Sequence, residues 1–210
     1  MTEDMERRSE TGRDRDRIVN LTDGVFAIAI TLLVLDIRVP DVPEGLVATE
    51  LPGELLTLWP KYLGYVLSFL AISIFWTVHH SIFRNVRDYD RGLIWLHFVF
   101  LMFVAFVPFP TSLLSEYGNH QLPVAVYAGT LAIGRLLLTI LYWYVAIQNR
   151  LVYREEELQM VRFFLVRGLA IPVIFLLSIA VSFFSVSVAI WSWVVMIVAD
   201  ATILHRRRRH

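Results

Sequence analysis

Apolar residues in this chain come in long runs, separated by short clusters of arginine and acid. A helix needs about 20 largely apolar residues to cross the hydrocarbon core of a bilayer. Six runs meet that length, over 18–37, 62–83, 92–114, 122–147, 163–181 and 186–204. Backbone polar groups in lipid must be satisfied internally, which leaves helices or closed barrels. The alternating polar-in pattern of a transmembrane barrel is missing. The predicted fold is therefore all-α, a polytopic membrane protein with six transmembrane helices. The first run keeps an acid at each end, Asp23 and Asp36, and no small-residue cleavage site follows it. It reads as a span and not as a signal peptide.

Composition agrees. The 210 residues are 57% hydrophobic and 18% charged, against about 45–50% and about 25% in soluble domains. The absence of cysteine excludes disulfides, thiolate zinc sites, iron–sulfur clusters and a cysteine nucleophile. The formal net charge of zero hides a segregation. Sixteen of the nineteen Lys and Arg fall before span one, between spans two and three, between four and five, or after six. Arg38 and Lys61 fall on the other side, and Arg135 falls inside span four. The positive-inside rule then places both termini in the cytoplasm, which requires an even number of spans. The organisation expected is a disordered cytoplasmic segment over 1–16, one membrane domain over 17–204 and a basic tail over 205–210. The arginines at 206–209 read as a topology anchor or anionic-lipid contact and not as a nucleic-acid tail. The long outer connection, 39–61, is acidic and punctuated by Pro40, Pro43, Pro52 and Pro60. Trp59, Trp143, Trp191 and Trp193 fall near predicted interfaces, where aromatic anchoring is the default reading.

Span one is the unusual one. It carries Asn20, Thr22 and Asp23 at its inner end and Asp36 at its outer end. Ionisable groups within spans are costly and face protein or water, so this helix belongs inside an assembly. At about 100° per residue, Leu21, Gly24, Ile28, Thr31 (or Leu32) and Leu35 share one stripe, while Asp23 points toward neighbouring helices. The stripe alone is compatible with ordinary helix packing and with pore lining.

The stretch Arg17-x-x-x-Leu21-Thr22-Asp23 and the apolar run after it resemble the signature of the prokaryotic branch of the transmembrane protein 175 potassium channels, Arg-x-x-x-Phe-Ser-Asp. Trp76 with His79 and His80 is similar to the family's Trp-x-x-His-His pattern, and Pro108-Phe109-Pro110 to its Pro-Phe segment. Leu21-Thr22 stands in place of Phe-Ser, and His97 stands where the family pattern has Asn. The resemblance implies a weakly discriminating potassium-selective channel in the cell membrane, a homotetramer of six-helix subunits around first-span helices. Potassium is then the permeant ion, and no cofactor, metal or nucleic-acid partner is expected. It maps a hydrophobic constriction to Ile28, a hydroxyl layer to Thr31 and a further apolar ring to Leu35. Those positions lie on the stripe, and the coincidence favours pore lining. Asp36, repeated by symmetry, reads either as an acidic ring attracting cations or as a helix-end charge balanced by Arg38. Arg17, Thr22, Asp23, Trp76, His79, His80 and His97 are expected to form a structural polar network at the inner end of span one. Proton sensing is the alternative role for these histidines. Adjacent histidines point about 100° apart on a helix, a poor metal pair, since metal-binding helices favour a separation of three or four.

Three rival functions are weaker. A proton- or cation-coupled transporter would show paired, interrupted spans around a midplane site, and none is evident. No nucleophile or metal signature supports an intramembrane enzyme, so the chain is expected not to be one. A scaffold without transport activity has no positive signal.

Overall fold

The computed structural model describes residues 2–83, 86, 90–147 and 158–207, with the side chains of 2–16, 147, 158–165, 167, 200–201 and 203–207 outside the description. Its helices are α1 (Thr2–Val34), α2 (Val47–Thr57), α3 (Trp59–Phe83), α4 (Arg91–Phe106), α5 (Pro108–Tyr117), α6 (Gln121–Ile147), α7 (Leu158–Ser182) and α8 (Val186–Arg207), with a 3₁₀ turn at Glu44–Leu46. Among the described residues four segments are long and apolar enough to cross a membrane: Arg17–Val34, Trp59–Phe83, Arg91–Tyr117 and Gln121–Ala146. Gly168–Ser182 and Val186–Ala199 are shorter apolar helices. The orienting arginines at 84, 87, 150, 154, 208 and 209 lie outside the described residues, as do the side chains of those at 162, 167, 206 and 207.

α6 runs through the centre of the bundle and packs on α3, α4, α5, α7 and α8, whereas among the described residues α1 packs mainly on α3, α4 and α5. The core runs through Leu67, Ile72, Phe100, Val104, Tyr127, Leu131 and Trp193. Two polar chains tie it together. The Thr111 hydroxyl donates to the Val107 carbonyl at 2.8 Å, so its oxygen accepts from Ser68 at 2.7 Å. Ser68 in turn accepts from the Tyr127 hydroxyl at 3.0 Å. That chain joins α6, α3 and α5. The indole N–H of Trp193 donates to Ser178 at 2.6 Å and joins α8 to α7. Buried hydroxyls and indoles need such partners, because an unpaired one costs about 1–3 kcal/mol.

Several expectations are revised. Span one ends as helix at Val34, short of residue 37, and Leu35 and Asp36 lie in a following turn closed by Leu35 N–H to the Leu32 carbonyl at 3.2 Å. At its other end the helical backbone of α1 is described from Thr2. Span three is two helices, broken at Val107. Pro108 and Pro110 have no N–H to donate, and Val107 N–H turns to Val104 in a tighter i−3 bond of 3.2 Å. The outer connection contains α2. Trp193 is fully buried and is not an interface anchor, unlike the exposed Trp59, Trp143 and Trp191. Arg135 is also buried, on the face of α6 toward α3, α7 and α8, where it borders two small cavities.

Close packing of α6 on α7 depends on Gly168, where a Cβ would collide with the Thr139 hydroxyl and lie 2.9 Å from its methyl. Gly129, on α6, has open space at that position. Gly168→Leu is expected to destabilise the protein by about 1–3 kcal/mol through overpacking. Gly129→Ala is expected to be neutral or to stabilise by up to about 1 kcal/mol. Thermal unfolding in detergent micelles checks the pair.

Candidate functional site

α1 has two opposite faces. Thr22, Phe26, Ala29 and Leu33, at i, i+4, i+7 and i+11, are each at most 2% exposed and pack into the bundle. Leu21, Gly24, Ile28, Thr31 and Leu35 lie on the far side and are all exposed, Ile28 to 61% and Leu35 to 69%. The stripe read from helical periodicity is therefore the face that the protomer leaves uncovered. No atom outside the helix lies within 4 Å of a Cβ built on Gly24.

The buried face is fixed by polar bonds at the inner end. The Thr22 hydroxyl donates to the Ile18 carbonyl at 2.7 Å. Its one hydrogen is thereby spent, so the 3.0 Å contact with His97 Nε2 requires an N–H there. In the neutral ring Nδ1 of His97 is then an acceptor, and it takes the Nε2–H of His79 at 3.0 Å. The result is a directed chain from His79 on α3, through His97 on α4, to Thr22 and Ile18 on α1. The His79 ring lies between Phe83, stacked at 4.2 Å, and Phe100, parallel at 5.6 Å. One residue along α1, the Asp23 carboxylate accepts from the Trp76 indole N–H at 2.8 Å. Trp76 stacks on His80 at 5.1 Å between ring centres. Neighbouring residues of α1 thus bind two different helices, which fixes its rotation as well as its depth.

Six of the seven residues expected in the polar network come together. The seventh, Arg17, is exposed and makes no hydrogen bond or ion pair among the described residues. His97, the departure from the family pattern, joins Thr22 to His79. The two adjacent histidines point apart, His79 buried among aromatics and His80 exposed beside Trp76. Among the described residues no group of three His, Cys, Asp or Glu is placed to hold a metal.

On the exposed face the Thr31 hydroxyl donates back to the Ile28 carbonyl at 2.9 Å. The hydrogen points inward along the helix, and the oxygen lone pairs remain available for a cation. Thr31 and Ile28 are thus coupled as an acceptor layer one turn beyond a branched apolar side chain. Asp36 is half-buried in the turn after α1 and makes no ion pair with Arg38 among the described residues.

Sequence reasoning missed the Ser68, Thr111 and Tyr127 cluster and the Asp90 clasp. The Asp90 carboxylate caps α4 by accepting from Leu93 N–H at 2.8 Å and accepts from the Tyr144 hydroxyl of α6 at 2.7 Å. An Asp just before an apolar run is a cap signal, and it was there to be read.

Residues 17–108 match the family model described as the endosomal/lysosomal potassium channel TMEM175. A potassium channel of Chamaesiphon minutus is 39% identical over 183 residues, covering 85% of this chain and 87% of its own. A potassium channel of Streptomyces collinus is 43% identical over 134 residues, covering 61% and 63%. The crystal structure of a lysosomal potassium-selective channel TMEM175 homologue from Chamaesiphon minutus superposes with a TM-score of 0.78 at 35% identity, over 90% of this chain and 97% of that one.

The chain of hydrogen bonds through His97 predicts non-additive mutants. Thr22→Val and His97→Leu each leave a buried group unpaired and should cost about 1–3 kcal/mol. The double variant should cost less than their sum, because both remove the same bond. Unfolding of the four proteins in micelles tests this, and strictly additive losses would contradict the chain.

Proposed function

Because this chain belongs to the TMEM175 family of potassium channels, we propose that it conducts potassium across the cell membrane as a homotetramer, with α1 of each copy lining the pore. The observation that carries this reading is the uncovered α1 stripe, diametrically opposite the face held by Thr22, Asp23 and their partners. A helix with one anchored face and one exposed face carrying a single hydroxyl suits the wall of a narrow aqueous path. Helices about 10 Å across, set in a square, leave a central gap that four branched side chains nearly fill.

In this arrangement four Ile28 side chains form a short dry neck. Apolar constrictions gate by dewetting: contracted, the neck holds no water and passes no ion, and slightly dilated it admits cations. The Thr31 oxygens, with their hydrogens committed to Ile28 carbonyls, replace part of a potassium ion's hydration shell beside the neck. Leu35 adds an outer apolar ring, and Asp36 lies at the outer mouth, where repetition by symmetry concentrates cations. The polar network of Thr22, Asp23, Trp76, His79, His80 and His97 works indirectly, by holding the angle at which α1 presents Ile28. Both termini lie in the cytoplasm and six helices span the membrane, as the arginine distribution implies. The apolar midplane of α1, as described, does not favour a coupled transporter.

Reversal potentials under opposed potassium and sodium gradients, measured on purified reconstituted protein, test the proposal. Ile28→Asn should raise potassium conductance several-fold by wetting the neck. Thr31→Val should lower the preference for potassium over sodium while leaving thermal stability unchanged, because residue 31 is exposed. Parental conductance and selectivity in both variants would overturn the pore assignment.

A further inference from the structure

The channel reading assigns no role to α2, and its surface is unusual. At about 100° per residue, Val47, Leu51, Pro52, Leu55 and Leu56 fall on one half of this helix. Thr49, Glu50, Gly53, Glu54 and Thr57 fall on the other half, with no exception. None of its residues is buried, and Leu56 is 79% exposed. Within the described chain α2 packs only on the 3₁₀ turn before it and the start of α3. An apolar half-cylinder is therefore left open at the outer end of the bundle. Isolated exposed apolar residues need no explanation, but a contiguous face marks an interaction site.

We propose that α2 is an interfacial helix lying along the outer boundary of the bilayer. Its Leu51 and Leu55 side dips among the acyl chains, and its Glu50 and Glu54 side faces water. The chain itself sets the level. α2 is tied to α3 through the single residue Leu58, and α3 begins with Trp59, exposed and of the type that favours membrane interfaces. The ion pair between Lys61 and Glu116, at 3.2 Å, lies in the first turn of α3 and marks a polar level just below. The exposed surface of α3 continues from Trp59 to Val66, two turns on, and to Phe69, so an exposed apolar surface begins one residue after α2 ends. A helix whose surface divides cleanly into an apolar half and a polar half is the kind that lies in the interface plane. Its polar half carries acids and no base, so the partner is the apolar boundary itself and not an anionic headgroup. Held at this depth, α2 sets where the outer end of α1, and with it Leu35 and Asp36, sits in the membrane.

The proposal rests on the membrane reading but not on the pore assignment. The absence of cysteine makes single-cysteine spin labelling direct. Glu50→Cys, Leu51→Cys, Glu54→Cys, Leu55→Cys and, as a span reference, Val173→Cys are labelled in the full chain in phosphatidylcholine vesicles. Collision with oxygen, which partitions into lipid, is compared with collision with a water-soluble nickel chelate. The expected result is an oxygen-to-nickel ratio several-fold higher at 51 and 55 than at 50 and 54, approaching that at 173. Equal, nickel-dominated ratios at all four α2 sites would place the helix in water and overturn the proposal. Labels at 51 and 55 shielded from both reagents would show a second copy covering the face, and would also overturn it. A nickel-dominated ratio at 173 would instead undo the membrane reading itself.

Discussion

Everything proposed for the pore depends on one constraint, the pair of side chain bonds made by two consecutive residues of α1. Thr22 meets His97 on α4, and Asp23 meets Trp76 on α3. Consecutive residues diverge by about 100° on a helix, so these bonds clamp α1 from two directions. Thr22 and His97 are buried, and a buried polar group without a partner is expensive, so that half of the clamp is hard to release; the exposed Asp23–Trp76 bond adds the second direction that fixes the rotation of the helix. With that rotation fixed, Ile28 and Thr31 must face away from the protomer. In the proposed pore, function follows from a choice of face, and the choice is made a turn or two away, by residues on the opposite side of the helix.

The inner end of the clamp is also where hydrogen-bond direction matters. Thr22 and Thr31 both donate to backbone carbonyls of their own helix, so both present oxygen outward. For Thr22 the outward partner is an imidazole N–H, which orders His97 and then His79. For Thr31 no further partner stands outside among the described residues, and the same chemistry leaves an acceptor toward the space that the proposal assigns to potassium. One residue type in one local conformation serves as anchor on one face and, in the proposed pore, as ligand on the other.

Much of this was legible in the chain. The apolar runs and the two faces of α1 follow from length and periodicity, while the polar network apart from Arg17 was implied by the resemblance to the TMEM175 family. The parts that were not legible are tertiary. Trp193 has the hydropathy and position of an interface anchor, and only the packing of α8 against α6 and α7 shows it buried on Tyr127 and bonded to Ser178. His97 departs from a family pattern, yet it is the link between Thr22 and His79, because imidazole offers one donor and one acceptor at opposite edges. Leu35 and Asp36 continue the apolar run of α1 in sequence but lie past its last helical residue, since the end of a helix is set by local turn bonds and not by hydropathy. α2 was obscured by prolines that punctuate without preventing helix: Pro52 sits inside it.

The central claim is that the face of α1 bearing Ile28 is the wall of the ion path. In a chain without native cysteine, a cysteine scan along α1 of the reconstituted channel reads that face directly, with a charged, water-soluble thiol reagent as the probe. Cysteines at 24, 28 and 31 should react and reduce the potassium current, and potassium ions at high concentration should slow the reaction. Cysteines at 26, 29 and 33 should be silent. A current indifferent to modification at 28, or reduced equally from both faces, would contradict the account.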